Sequence, residues 1–149
     1  MSQAFTNLLT HIVFSTKERR AIIDDEIKSE LHAYLGGLVK ELGGKAYIVG
    51  GINDHVHLLV NLPAKVSISD AVRFIKSNST GFVKTKFNRR LFAWQRGYGA
   101  FSVSKSNASE VIKYIQNQEE HHRKVLFKDE FVTFLQKNEI EYDEKYIFD

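Results

Sequence analysis

Apolar positions along the chain fall into two rhythms. Leu8, Leu9, Ile12, Val13 and Phe14 make a short run between Asn7 and Ser15 that reads as a strand buried on both faces. The charged loop Lys17-Glu18-Arg19-Arg20 follows. Ile27, Leu31, Tyr34, Leu35, Leu38 and Leu42 then recur at the 3.6-residue helical period, with Asp24 or Asp25 as cap and Gly43-Gly44 as stop. Gly36-Gly37 within this stripe lowers helix propensity but admits close packing. The segments from Lys45 to Val49 and from His55 to Leu62 are rich in β-formers. Gly50-Gly51-Ile52-Asn53-Asp54 between them suits a hairpin turn.

After Pro63, Ser67 with Asp70 resembles a capping box. It opens a helix through Ala71, Val72, Ile75, Phe82 and Val83 to about Phe87. Leu91 to Trp94 and Ala100 to Ser104 read as short strands around Gly97-Tyr98-Gly99. Asn107 and Glu110 form another cap-like pair, opening a helix through Tyr114. A last helix covers Phe131, Phe134 and Leu135, and a polar, aromatic tail runs from Glu139 to Asp149. The order strand, helix, strand, strand, helix, strand predicts an α+β protein: a ferredoxin-like, or RRM-like, split βαβ with an antiparallel sheet. An appended C-terminal helix carries Tyr114. Residues 1–149 are expected to form a single domain. First and third strands pair centrally in this arrangement, which brings His11 near His55 and His57 as a neighbour rather than a ligand.

The chain has no cysteine, which excludes disulfides and thiolate metal sites and fits a reducing compartment. No apolar run reaches the length of a membrane span, and the N-terminus lacks a signal-peptide pattern, so a cytoplasmic protein without membrane contact is expected. Net charge is only +3, but it is unevenly spread. From Ala71 to Ser109 there is no Asp or Glu, against Arg73, Lys76, Lys84, Lys86, Arg89, Arg90, Arg96 and Lys105. The segment from Glu110 to Asp149 is net acidic. Aromatic residues, Trp94 among them, alternate with the cations. Cations for phosphates and flat rings for bases suit single-stranded nucleic acid. A solvated basic face with its rings in the core is the plainer alternative.

Two clusters carry candidate chemistry. His55-Val56-His57 lies in an apolar run, and on a strand both imidazoles face the same way. Such a pair can grip one divalent ion, or it can be two core histidines satisfied by hydrogen bonds. In Tyr114-Ile115-Gln116-Asn117-Gln118-Glu119-Glu120-His121-His122, a helix would set Tyr114 and Gln118 on one face with His121 and His122 a turn beyond. A phenol is a nucleophile and an amide oxygen can bind metal; an amphipathic core face is the plainer reading.

With these residues in view, the chain resembles the small single-tyrosine transposases of bacterial and archaeal insertion sequences (IS200-like), which belong to the HUH endonucleases. The resemblance runs through His11 to Lys17, Asp54 to Val60, Trp94 to Ser104, and Tyr114-Ile115 with Asn117-Gln118 and His121-His122. Gly51 and Ile140-Glu141-Tyr142 add to it.

The resemblance implies that His55, His57 and Gln118 hold Mg²⁺ or Mn²⁺ and that Tyr114 is the nucleophile, with His121 or His122 as an alternative to Gln118. It implies a metal-dependent single-strand DNA endonuclease and strand transferase. Such an enzyme cleaves and rejoins hairpin-bearing element ends through a 5′-phosphotyrosine, as a homodimer in the bacterial or archaeal cytoplasm, at the nucleoid. The alternative on the same fold is a domesticated or non-catalytic palindrome-binding protein.

Overall fold

The computed structural model describes residues 3–148, so Met1, Ser2 and Asp149, the ends of the expected domain and tail, lie outside the described residues. Leaving aside two short 3₁₀ helices, at Lys17–Arg19 and Lys105–Asn107, its first six elements are β1 (Leu9–Ser15), α1 (Asp25–Glu41), β2 (Lys45–Gly51), β3 (His55–Asn61), α2 (Ile68–Phe87) and β4 (Gly99–Ser102). The strands form one antiparallel sheet in the order β2-β3-β1-β4, the expected split βαβ arrangement with β1 and β3 at its centre. Three helices follow: α3 (Ala108–Gln116), α4 (Gln118–His122) and α5 (Phe127–Lys137).

Local chemistry accounts for the helix starts. The Asp24 carboxylate accepts hydrogen bonds from the backbone N–H of Glu26 and Ile27 at 3.1 and 3.3 Å, and Ser67 Oγ accepts from Asp70 N–H at 3.1 Å. Each cap satisfies a donor that the helix leaves unpaired, and is worth about 1 kcal/mol. One face of the sheet presents Ile12, Phe14, Val56, Leu58 and Val60 to α1 and α2, forming the main core. The pleat sends the residues between them to the opposite face.

That opposite face positions the chemistry. Val13 stands opposite His57 and His11 opposite Leu59, so His11, Val13, His55 and His57 share one surface. α5 covers part of it with a second apolar cluster, in which Phe127, Phe131 and Leu135 pack on Val13 and Phe101.

Three sequence expectations are corrected. Leu91 to Trp94 is not a strand; only Trp94 bridges to Thr16, framed by hydrogen bonds from Lys17 N–H to Ala93 C=O and from Gln95 N–H to Ser15 C=O. β4 occupies the same edge of β1 from Thr10 to Val13, which leaves this segment only the strand's final residues to pair with. The tyrosine helix is not continuous through His122, while the last helix expected over Phe131, Phe134 and Leu135 is present as α5. The tyrosine helix breaks at Asn117, which sits at φ −96° and ψ 22°, and both α4 and α5 follow it. Asn107 also makes no side-chain cap. Among the described residues, no helix is long and apolar enough to cross a membrane.

Candidate active site on the histidine face of the sheet

His55 and His57 are fully buried, each at 0% exposure, and both rings are oriented by neighbours. His55 Nδ1 lies 2.8 Å from Asp54 Oδ1, and its Nε2 faces Gln118 Oε1 at 2.9 Å. With Nδ1–H committed to the carboxylate, a neutral His55 turns the lone pair of Nε2 toward the amide oxygen. Two acceptors at that distance form an arrangement that a shared proton or a cation satisfies. His57 Nδ1 lies 2.8 Å from His11 Nε2, and its Nε2 points to Glu130 Oε1 at 3.1 Å. His11 is thus a partner that fixes His57, as expected of a neighbour.

The second half of the site comes from the three C-terminal helices. α3 reaches β2 closely because Gly50 has no side chain. A Cβ there would stand 2.7 Å from an Ile115 methyl and 2.8 Å from its carbonyl oxygen. This approach brings the Tyr114 ring to 5.7 Å from that of His57, and the Tyr114 hydroxyl donates a short hydrogen bond to Glu130 Oε2. After the break at Asn117, Gln118 still folds back, donating from Nε2 to the Tyr114 carbonyl at 3.3 Å. His122 donates from Nδ1 to the Val125 carbonyl at 2.6 Å and directs Nε2 to Gln118 Oε1 at 3.0 Å. A cleft of about 550 Å³ opens beside the nucleophile candidate, lined by His11, Glu110, Tyr114, His121, Glu130 and Lys137 among others.

Burial sets the protonation states. It lowers the His57 imidazole to about 4 against the opposing pull of Glu130, and it lowers His11 to about 3, so both are neutral near pH 7. Burial pushes the Tyr114 phenol well above its ordinary value, and the negative Glu130 pushes it further. Burial alone would raise Glu130, but hydrogen bonds from His122 and His57 outweigh it and hold the carboxyl far below its usual range. The neutral His57 imidazole, the His55 imidazole, an amide oxygen and an anionic carboxylate therefore converge. One ligand atom from each of His55, His57, His122 and Glu130 lies within 4.8 Å of the others, so the donor set fits a divalent ion.

The structure brings together His55, His57, Gln118 and Tyr114. It adds Glu130, which the sequence reading missed. The one signal available for it was a carboxylate set on the apolar stripe of α5, between Phe127, Phe131 and Phe134.

The basic residues divide. Arg73, Lys76, Lys84, Trp94 and Arg96 line a groove of about 630 Å³ on the α2 side of the sheet. Within it, Lys76 Nζ donates to the carbonyls of Gln95, Arg96 and Gly97, and burial lowers its ammonium to about 8. Trp94 is 8% exposed, with Nε1–H donating to Ser79 Oγ at 2.9 Å, so its ring is core rather than a platform for bases. Elsewhere, Arg89 pairs with Asp24 at 3.0 Å and Glu26 at 2.8 Å, and Lys86 pairs with Glu30 at 2.7 Å. Arg90 is exposed, and Lys105 lies apart from the groove, 5.6 Å from the centre of the Tyr47 ring.

A sheet of this topology with paired histidines and a tyrosine across from them has the fold of tyrosine transposases. A solved structure described as a transposase of Deinococcus radiodurans R1 superposes with a TM-score of 0.64 at 24% identity, over 79% of this chain and 98% of that one. The structure of a REP-associated tyrosine transposase bound to a REP hairpin gives 0.62 at 15% identity, over 84% of this chain and 76% of that one.

Residues 4–118 match the family of IS200-like transposases. The transposase for insertion sequence element IS200 of Salmonella typhimurium is 30% identical over 119 residues, which span 75% of this chain and 77% of that protein. The ISDra2 transposase TnpA of Deinococcus radiodurans is 25% identical over 114 residues, 72% of this chain and 81% of that protein. The chain belongs to the IS200-like transposase family and is a DNA-cleaving enzyme.

Proposed function

We propose that this transposase cleaves and rejoins single-stranded DNA at hairpin-bearing element ends, with Tyr114 as nucleophile. The observation that carries this reading is the convergence of the Tyr114 hydroxyl with His55, His57 and Gln118 on one spot beside an open cleft. Tyr114 Oη would form a bond to the scissile phosphorus as the bond from phosphorus to the 3′ oxygen breaks. The phenol gives up its proton and the departing 3′ oxygen takes one up, leaving a 5′-phosphotyrosine and a free 3′-hydroxyl. One phosphodiester becomes another, so the reaction can run backwards or onto a new strand without an energy source.

His55, His57 and Gln118 would hold Mg²⁺ or Mn²⁺. When bound, the ion supplies positive charge against the phosphate oxygens and the developing phenolate. The chain's own residues set the rest. Asp54 and His11 fix the two imidazole rings, and Gln118 ties α4 to the backbone of the nucleophile. Glu130 aims the phenol hydrogen. Its depressed proton affinity makes it an orienting group rather than a strong base.

Single-stranded hairpin DNA as partner is supported by the basic groove and by the hairpin bound to the REP-associated neighbour. Action as a homodimer, one domain over residues 1–149 and a cytoplasmic, nucleoid-associated location complete the reading on the strength of the family resemblance.

The test mixes the protein with labelled hairpin oligonucleotide and Mg²⁺ or Mn²⁺ and looks for a denaturant-resistant adduct. Wild type is expected to form one on single-stranded but not fully paired DNA, and Tyr114→Phe none. An adduct that persists in Tyr114→Phe would remove the nucleophile assignment.

A further inference from the structure

We infer that Glu130 is a direct ligand of the divalent ion held by His55 and His57. The site would then be completed by α5, an element beyond the family-matched residues 4–118. This rests on the histidine-site reading above and adds a ligand to it. The Glu130 side chain is 2% exposed, and its carboxylate lies 3.1 Å from His57 Nε2, 3.7 Å from His55 Nε2 and 3.3 Å from His122 Nε2. Ligand atoms about 2.1 Å from one ion stand roughly 3 to 4 Å apart, which is the spacing found here.

Charge argues the same way. Buried carboxylates are paired with cations or bind metal. The partners of Glu130 are imidazoles, the Tyr114 phenol and the Gln118 amide; none is a lysine or arginine, and the His122 imidazole is shifted toward its protonated form beside it. A protonated His122 can balance this anion, and a divalent ion would supply the same charge without the proton. The apolar residues on either side of it, Phe127, Phe131 and Leu135, anchor α5 to Val13 and Phe101 and so fix the carboxylate over the histidines. A carboxylate added to two or three imidazoles favours a transition-metal ion such as Mn²⁺ over Mg²⁺.

The experiment titrates Mn²⁺ into the full chain by calorimetry and measures water-proton relaxation by the bound ion. Glu130→Gln is expected to weaken Mn²⁺ binding by about tenfold or more, because a neutral amide oxygen binds the ion more weakly than a carboxylate, and to raise the relaxation per bound ion as water competes for that position. Glu130→Asp, which keeps the charge but shortens the reach, should fall between Gln and wild type; it serves as the test if Glu130→Gln fails to fold. Wild-type affinity and relaxation in the Glu130 variants, with His57→Ala clearly weakened, would overturn the inference and leave the histidine site standing. Unchanged Mn²⁺ binding in His57→Ala as well would remove the histidine site itself. Tighter binding of the hairpin oligonucleotide by Glu130→Gln at unchanged Mn²⁺ affinity would instead make Glu130 an occupant of the phosphate's place, which also overturns it.

Discussion

At the scale of single residues, His55 and His57 were legible because two imidazoles at a period of two on a β-rich run share a face whatever the fold around them. Gln118 was legible only relative to Tyr114. Glu130 carried no local mark beyond a charge on an apolar stripe, in a segment where acids are common. Trp94 was read as a base-stacking ring from its basic surroundings, but its contacts with Phe14, Phe92 and Ser79 place it in the core. Trp94→Ala should therefore cost about 3–5 kcal/mol of stability in urea unfolding, the range for emptying a buried aromatic site.

His32 offers a pH test at the same scale. Its Nε2 is buried without a partner, and burial, aided by Lys28 and His55, lowers the imidazole from 6.5 to about 4. Between those values the unfolded chain holds more protons, so stability falls as the pH drops from 6.5 toward 4 and is unaffected by this group above that window. From pH 7 to 5, wild type should lose up to about 2 kcal/mol more than His32→Leu in paired urea titrations.

At the scale of elements, periodicity and caps exposed nearly every strand and helix, because each of those signals is local. Two features depended on what lies alongside. Phe92 and Trp94 alternate inward as a strand would, but with the β1 edge already taken by β4 the segment has only one bridge. The break at Asn117 had no proline or glycine to announce it.

Gly50 joins sequence to site most directly, since α3 can rest on β2 only where no Cβ intervenes. Gly50→Ala should push α3 outward, destabilise the fold by about 1–3 kcal/mol as overpacking does, and lower the yield of tyrosine adduct at unchanged hairpin affinity. Adduct yield equal to wild type would mean that the nucleophile does not depend on this contact.

At the scale of the whole molecule, the acid-free stretch was readable as a run, but the fold distributes it. Some of its cations are tied into ion pairs, and the groove around Arg73, Lys84 and Arg96 lies on the side of the sheet opposite the histidines. Binding and chemistry should then separate. His55→Ala is expected to abolish cleavage while leaving hairpin affinity nearly unchanged in a filter-binding assay. Neutralising Arg73, Lys84 and Arg96 together should lower the slope of log affinity against log salt by about 2, at roughly 0.7 per lost phosphate contact with a single strand. Lys40, Lys65 and Lys145, all exposed and outside the groove, are the charge-matched controls. An equal change from the controls would assign affinity to overall charge.

The order of the elements is also an order in time. A chain leaving the ribosome has made all four strands and the groove residues by Ser102, before Tyr114, Gln118 or Glu130 exists. Up to that point the chain carries His55 and His57 but neither Tyr114 nor the α5 residues that pack over their face in the finished fold. Only when α5 has emerged can Phe127 and Phe131 cover that surface. The chain thus acquires Tyr114, its proposed nucleophile, late in its own synthesis, after the strands that carry the histidines.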